Sequence, residues 1–323
     1  MISSPSANAH EGWGVSQSAD QVAILLSTYN GESFLGQQLD SLIAQSHPNW
    51  VIFASDDGSS DSTLAILAEY QTRLGDRLVI TTGPGRGFAA NFLSLLRNRA
   101  LTQPYIAFCD QDDLWDPERL RMGLQWVRGV PDEQPALFCS RTRLIDQEGH
   151  TIGFSPLFER PPCFENALVQ SIAGGNTMLL NRAAQRLLAQ TPEQQYIVSH
   201  DWWAYLLISG CGGAVEYCAT PTVGYRQHPH NLVGSNSSLQ ERLIRVRKLF
   251  TGTFRAWMSA NIKALTTFRD RLTPENQRAL ALFEQSRHTD LSQRLTLIRQ
   301  SGVHRQTLLG TVGLAAAAIF QRV

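Results

Sequence analysis

The sequence predicts an α/β fold, a mostly parallel sheet flanked by helices, with a helical extension at its C-terminal end. Short apolar runs alternate with helical stretches from Gln21 to Pro131, the pattern of a parallel sheet covered on both faces. Clusters of Asp, Gly and Ser close several of those runs. Open sheets of this kind bind ligands beyond the carboxyl ends of their strands. From Ser238 onward the pattern is helical throughout.

Taken in order, Val22 to Ser27 (VAILLS) has the length and branching of a strand buried on both faces. Leu35, Leu39 and Leu42 make a helical stripe within residues 31–45, ended by His47-Pro48. A second strand, Val51 to Ala54, runs into DDGSSDST, where Asp61 or Ser62 caps a helix through Tyr70. Arg77 to Thr82 is a third strand, followed by the turn GPGRG and a helix over Phe88 to Ala100. Tyr105 to Cys109 is a fourth strand, ending in Asp110. Asp116-Pro117 then opens a helix, with Asp as cap and Pro at the first helical position.

After Pro131 the pattern is mixed. Ala136 to Ile145 and His150 to Phe154 form a hairpin about Gln147-Glu148-Gly149. A strand at Thr177 to Leu180, helices over Arg182 to Ala189 and His200 to Ile208, and a strand at Ala214 to Cys218 follow. Ser238 and Glu241 form a capping box ahead of a stripe of Leu239, Leu243, Val246 and Phe250. Thr273-Pro274-Glu275 starts a further helix. These divisions give a flexible leader over 1–20, without the basic start and apolar centre of a signal peptide, a catalytic domain over 21–235, and a basic helical region over 236–323.

Of the 323 residues, 43% are hydrophobic and 17% charged, which provides a sizeable core and excludes wholesale disorder, collagen and coiled coil. Five cysteines without a CxxC pair read as reduced, buried thiols rather than a zinc ribbon or a disulfide scaffold. The net charge of zero hides a division. Residues 1–235 carry 14 basic against 23 acidic side chains, and residues 236–323 carry 14 against 5. The acidic part is a poor nucleic-acid surface but suits a divalent cation. The basic part either meets anionic lipid or packs on the acidic one. The uncharged tract from Gln306 to Gln321 is short of the roughly 20 apolar residues that span a bilayer.

The chemistry concentrates at the strand ends. Asp110, Asp112 and Asp113 lie within four residues, interrupted by Gln111. Carboxylates so close repel one another, and Mg²⁺ or Mn²⁺ relieves the repulsion. Asp56-Asp57-Gly58-Ser59-Ser60-Asp61 is either a ligand loop or an ordinary turn. Gly85-Arg86-Gly87 is a weak phosphate-loop signal without the Lys-Ser/Thr of a P-loop.

Together LLSTYNG, ASDDGSSDST, FCDQDDLW and SHDWW, with the later YRQHPHN, resemble the family 2 glycosyltransferases of the Rossmann-like GT-A fold over Val22 to Gly234. SHDWW and YRQHPHN look most like bacterial rhamnosyltransferase-like members that build surface polysaccharides. The resemblance implies that Ser27, Thr28, Tyr29 and Asn30 wrap the nucleotide base and ribose. It implies that Asp57 accepts the N3–H of uracil or thymine, and hence a UDP- or dTDP-sugar donor. Asp110 and Asp112 match the DxD pair that holds the cation, and Asp113 contacts ribose or metal. Gln111 joins the donor-binding set. Asp201 matches the catalytic base of an inverting transfer.

Trp202 or Trp203 offers a flat face to a sugar, or one of the pair is core. His200 is a neighbour of the helix start or bonds to the site. His228 completes the metal shell or is a surface residue, and Arg226 pairs with the diphosphate. Gly174-Gly175-Asn176-Thr177 stands where relatives carry a Gly-Cys-Thr-like acceptor loop, and it departs from that pattern at Gly175 and Asn176.

The resemblance therefore implies a metal-dependent inverting glycosyltransferase at the cytoplasmic face of the membrane. It would elongate a surface or lipid-linked glycan, with dTDP-L-rhamnose as first choice of donor. A UDP-hexose or UDP-N-acetylhexosamine is the alternative donor, and a nucleotide-sugar-binding scaffold the alternative function. A Rossmann oxidoreductase is disfavoured, because STYNG stands where GxGxxG would follow the first strand.

Overall fold

A computed structural model describes residues 20–228 and 252–322. Nearly all of the leader and the Ser238–Glu241 capping box with its apolar stripe lie outside the described residues. Strands β1 (Val22–Thr28), β2 (Trp50–Asp56), β3 (Leu78–Thr82) and β4 (Tyr105–Cys109) pair in parallel in the order β3-β2-β1-β4. The sheet continues through β8 (Leu179–Asn181), β6 (Ala136–Ile145), β9 (Ala214–Arg226) and β5 (Leu114–Trp115), with β7 (Thr151–Phe154) paired to β6 outside that path. β8 is antiparallel to both β4 and β6. The sheet is thus parallel in its first half and mixed in its second.

Helices α1 (Leu35–Ile43), α2 (Thr63–Leu74) and α4 (Arg119–Val127) cover one face. Their Leu39, Leu67 and Leu124 pack with Ile24, Ile52 and Ala107. The intervening residues Leu25, Phe53 and Phe108 turn to the other face, against α3 (Phe88–Leu96), α6 (Arg182–Ala189) and α7 (His200–Gly210). Burial on both faces is why these strands read as unbroken apolar runs. A short helix, α5 (Phe164–Ala167), joins the second layer.

The extension comprises α8 (Thr253–Leu265), α9 (Pro274–Ser286), α10 (Leu291–Ser301) and α11 (Leu308–Ile319). Met258, Leu265, Leu280, Phe283 and Leu314 belong to the same core as Leu25 and Phe92. Thr273 caps α9, its hydroxyl accepting from the Asn276 amide, with Pro274 behind it. All five cysteines are free, and Cys109 and Cys139 are buried.

Several elements differ from the sequence expectation for physical reasons. α1 starts at Leu35 because Asn30 adopts a left-handed φ of 47° and residues 31–34 turn to meet the loop after β2. Asp116 caps nothing. Its carboxylate is taken by Arg143 in two bonds of 2.9 and 2.6 Å, and α4 begins three residues later. β9 runs on to Arg226, since the pairing with β6 shifts register between Ser140 and Thr142. That irregularity accommodates Pro221, which has no ladder donor to give.

Candidate active site

The loops after β1, β2 and β3 are knitted into one surface. Asp56, buried at the end of β2, accepts from the Thr28 hydroxyl (2.9 Å), the amides of Gly58 (3.2 Å) and Ser59 (2.8 Å), and the Ser59 hydroxyl (2.5 Å). Asn30 donates its amide to Ser59 Oγ and accepts from the Ser60 amide. Asp57 accepts from the amides of Gly85 and Gly87, each at 2.7 Å. The GPGRG turn is therefore a partner of Asp57. Gly85 and Gly87, at φ of 65° and 85°, take a conformation that glycine adopts at little expense.

Gln111 is a clamp. Its amide accepts from Tyr29 N (2.8 Å) and donates to Tyr29 O (2.9 Å), holding the first loop against the β4 loop. The Gly31 backbone passes so close that a Cβ there would lie 2.3 Å from Gln111 Oε1. The Tyr29 ring itself remains 58% exposed. Ser27 accepts from Asn91 Nδ2, and Thr28 is buried against Asp56. In the set implied to wrap the nucleotide, Tyr29 offers an open face. Thr28, Asn30 and Gln111 spend their side-chain groups on shaping the loops.

The β4 loop brings Asp112 to His228, whose Nε2 lies 2.9 Å from Asp112 Oδ2 across 116 residues of sequence. The His228 ring packs on Phe34. Asp110 is half-buried beside them, and no donor reaches its carboxylate among the described residues. Burial, then repulsion from Asp113, Asp112 and Asp201, pushes it well above the usual carboxylate range.

Asp113 has no exposed surface, which corrects the expectation that it touches ribose or metal. It accepts from Asn176 Nδ2 (2.5 Å) and the Arg226 amide (3.1 Å), and burial with the nearby Asp112 charge raises it to about 8. Arg226 is also fully buried. It donates to the carbonyls of Asp112 and Gln147 and to Gln37 Oε1, and it stacks over Phe34, so it braces the loop rather than facing a diphosphate.

Helix α7 is apolar on all sides and buried along its whole length except at Asp201. This excludes the sugar-facing role for its tryptophans. Trp202 donates to the Ala167 carbonyl and stacks on Phe254, while Trp203 donates to Thr191 Oγ1. Asp201 is left partly open in the first turn, Oδ1 accepting from the Trp202 amide at 2.7 Å. His200 is buried, stacked on Phe92, with neither ring nitrogen bonded, and burial lowers it to about 4.

Two residues escaped the sequence reading. Asn91 in α3 ties Ser27 to Ser55, and Arg119 in α4 donates to the carbonyls of Asn176, Phe108 and Met178 while stacking on Trp115. Each is a polar residue on the buried face of an otherwise apolar helix stretch, which was the available signal. Half-buried Asp146 and exposed Glu148 and His150 also converge, within 4.8 Å. Asp110, Asp112 and His228 are not drawn that close together, so Asp112 with His228 is the pair the fold builds.

A Rossmann-like sheet of this order, with acid-rich loops beyond its strands, is the architecture of the GT-A glycosyltransferases. Residues 23–185 match the model of "Glycosyl transferase family 2", and the chain belongs to that family as a glycosyltransferase. It is 28% identical over 232 residues to the dTDP-rhamnosyl transferase RfbG of Shigella flexneri, covering 68% of this chain and 78% of that one. Among solved structures it resembles S. aureus TarS 1–349, with a TM-score of 0.52 at 14% identity over 88% of this chain and 92% of that one. The complex of the same TarS fragment with UDP-GlcNAc has a TM-score of 0.50. Among the described residues no helix is long and apolar enough to cross a membrane.

Proposed function

We propose that this chain is an inverting, cation-dependent transferase that moves a sugar from a pyrimidine-diphosphate donor to a growing surface or lipid-linked glycan. The carrying observation is α7, buried everywhere except at Asp201, which it presents beside Asp110. A buried apolar helix with one open carboxylate is an expensive arrangement for a surface residue and a sound one for a base held in place. The named activity of RfbG favours dTDP-L-rhamnose; the UDP-GlcNAc bound to TarS keeps UDP-N-acetylhexosamines and UDP-hexoses as the alternative. Residues 21–235 carry the transfer. Residues 236–323 form the extension, with reversible membrane contact at the cytoplasmic face.

The acceptor hydroxyl attacks the anomeric carbon as the bond to the diphosphate breaks. Asp201 takes the hydroxyl proton, a contribution of about 10²–10⁴-fold. The trailing amide of Trp202 holds that carboxylate in line. Tyr29 lies open to stack on the base. Asp57 keeps a second lone pair on each oxygen for the pyrimidine N3–H, beyond those met by Gly85 and Gly87.

Asp112 and His228 fit Mg²⁺ or Mn²⁺: a carboxylate oxygen and an imidazole nitrogen converge beside the unanswered Asp110. A bound cation would supply countercharge to the leaving diphosphate.

The deciding experiment is a donor panel with Mg²⁺ or Mn²⁺, read as release of dTDP, UDP or GDP. dTDP- or UDP-sugars should turn over, and GDP should bind far more weakly by calorimetry. Equal affinity for GDP removes the base-reading role of Asp57. Binding without turnover of any donor, given acceptor extracts, makes the chain a scaffold. Asp112→Ala should abolish cation-dependent donor binding, and full activity in EDTA would remove the metal role.

A further inference from the structure

Helix α11 leaves one side bare. Leu308 and Leu309 are 81% and 84% exposed, and Val312, Ile319 and Phe320 are exposed with them. Leu314, Ala317 and Ala318 turn into the core and anchor the helix. Residues 308, 312 and 319, with 309 and 320 beside them, lie along one helical side. No charged residue occurs from Gln306 to Gln321. Soluble monomers seldom leave an apolar strip of this kind unused.

Cations stand at both ends of the strip. At its start, exposed Arg160 donates to the backbone carbonyl of Arg305 (3.2 Å), which fixes its cation beside the helix start. At its end, exposed Arg255 donates to the carbonyl of Gln321 (3.1 Å), next to exposed Arg322. Arg160, Arg255 and Arg322 come from three separate parts of the chain, and the fold gathers them around one helix. The helix has 12 residues, about 18 Å of length, against a hydrocarbon core of about 30 Å. An apolar side margined by arginines, on a helix too short to span, matches a helix lying in the bilayer interface.

We propose that α11 is the membrane-docking element of this protein. Leu308, Leu309, Val312, Ile319 and Phe320 enter the headgroup–acyl boundary of an anionic leaflet, while Arg160, Arg255 and Arg322 meet its lipid phosphates. This narrows the membrane contact of the extension to one surface, and it needs neither donor nor acceptor, so its failure leaves the transfer reading untouched.

The test is flotation of the full chain with phosphatidylcholine vesicles, with and without phosphatidylglycerol, at low and high salt. The wild-type chain should float with the anionic vesicles at low salt and stay down with the neutral ones. Leu308→Ser with Leu309→Ser should lower partitioning by about tenfold or more. Arg160→Gln with Arg322→Gln should lower it by about fivefold per arginine. Both pairs are exposed, so unchanged circular dichroism and melting temperature are expected. Should either pair melt early, Val312→Ser alone repeats the apolar comparison. Flotation equal in wild type and the Leu308/Leu309 variant overturns the proposal. So does the absence of flotation. A vesicle-independent dimer in sedimentation, lost in the same variant, overturns it in favour of a self-interface.

Discussion

The loop after β2 and the loop after β4 each carry three carboxylates within a few residues of a strand end, and they differ in what answers those charges. Asp56, Asp57 and Asp61 accept backbone amides and hydroxyls from the same loop and its neighbours. In the second loop only Asp113 is fully met, while Asp112 faces His228 and Asp110 meets no donor among the described residues. The two loops look alike in composition. One uses its acids to hold its own turns together, and the other leaves much of its negative charge unanswered.

The largest break in that comparison lies across the cleft. Asp201→Asn should lower turnover by about 10²–10⁴-fold, roughly 3–5 kcal/mol of barrier, with donor affinity kept. If calorimetry finds normal donor binding and steady-state rates stay near wild type, Asp201 is a helix-end residue and nothing more. The wall behind it gives the next effect. Burial holds His200 at about 4 instead of 6.5. Between those values the unfolded chain takes up a proton that the folded chain refuses. Stability should therefore be full above pH 6.5 and fall as the pH drops toward 4, by roughly 3 kcal/mol. His200→Phe, which can stack on Phe92 in the same place, should flatten that limb in melting curves taken across the range.

A smaller effect separates the two acidic loops directly. Asp56→Ala removes four bonds from a buried site and should reduce stability by about 2 kcal/mol. Asp110→Asn should do the reverse, leaving stability unchanged or raising it by about 1 kcal/mol while activity falls, because it removes repulsion and no bond. Denaturant titration of the pair decides the matter: a loss at Asp110 as large as at Asp56 would mean that both carboxylates are held by bonds that stabilise the fold.

The sequence made local features legible and hid the long-range ones. Val22–Thr28 and Tyr105–Cys109 announce themselves by unbroken apolar character, and Arg182–Ala189 by its stripe. STYNG, DDGSSDS and DQDD lie at strand ends, where the alternation put them. What escaped is set by partners far along the chain. Asp116 was a plausible cap until Arg143 claimed it. Trp202 looked like a sugar platform because nothing nearby says that Ala167 and Phe254 enclose it. Arg226 looked like a free cation, and only the fold buries it among carbonyls of the β4 and β6–β7 loops. Asn91 went unnoticed because Ser27 and Ser55 lie 64 and 36 residues away, and Arg119 because its partners are backbone carbonyls of Asn176, Phe108 and Met178.

The pairing of Asp112 with His228 spans 116 residues, and this separation fixes the order in which a nascent chain is completed. The parallel half of the sheet, ending at Cys109, leaves the ribosome first and can fold as it emerges. At a synthesis rate of about 5–20 residues per second, His228 follows Asp112 by on the order of ten seconds. During that interval the β4 loop exists without the imidazole, without Arg226 beneath it and without α7 opposite. A sheet able to shape its first three loops is therefore made well before a centre able to transfer anything. Catalytic competence follows the shaping of those loops, and a product that stops short of His228 is expected to be folded in part and inert.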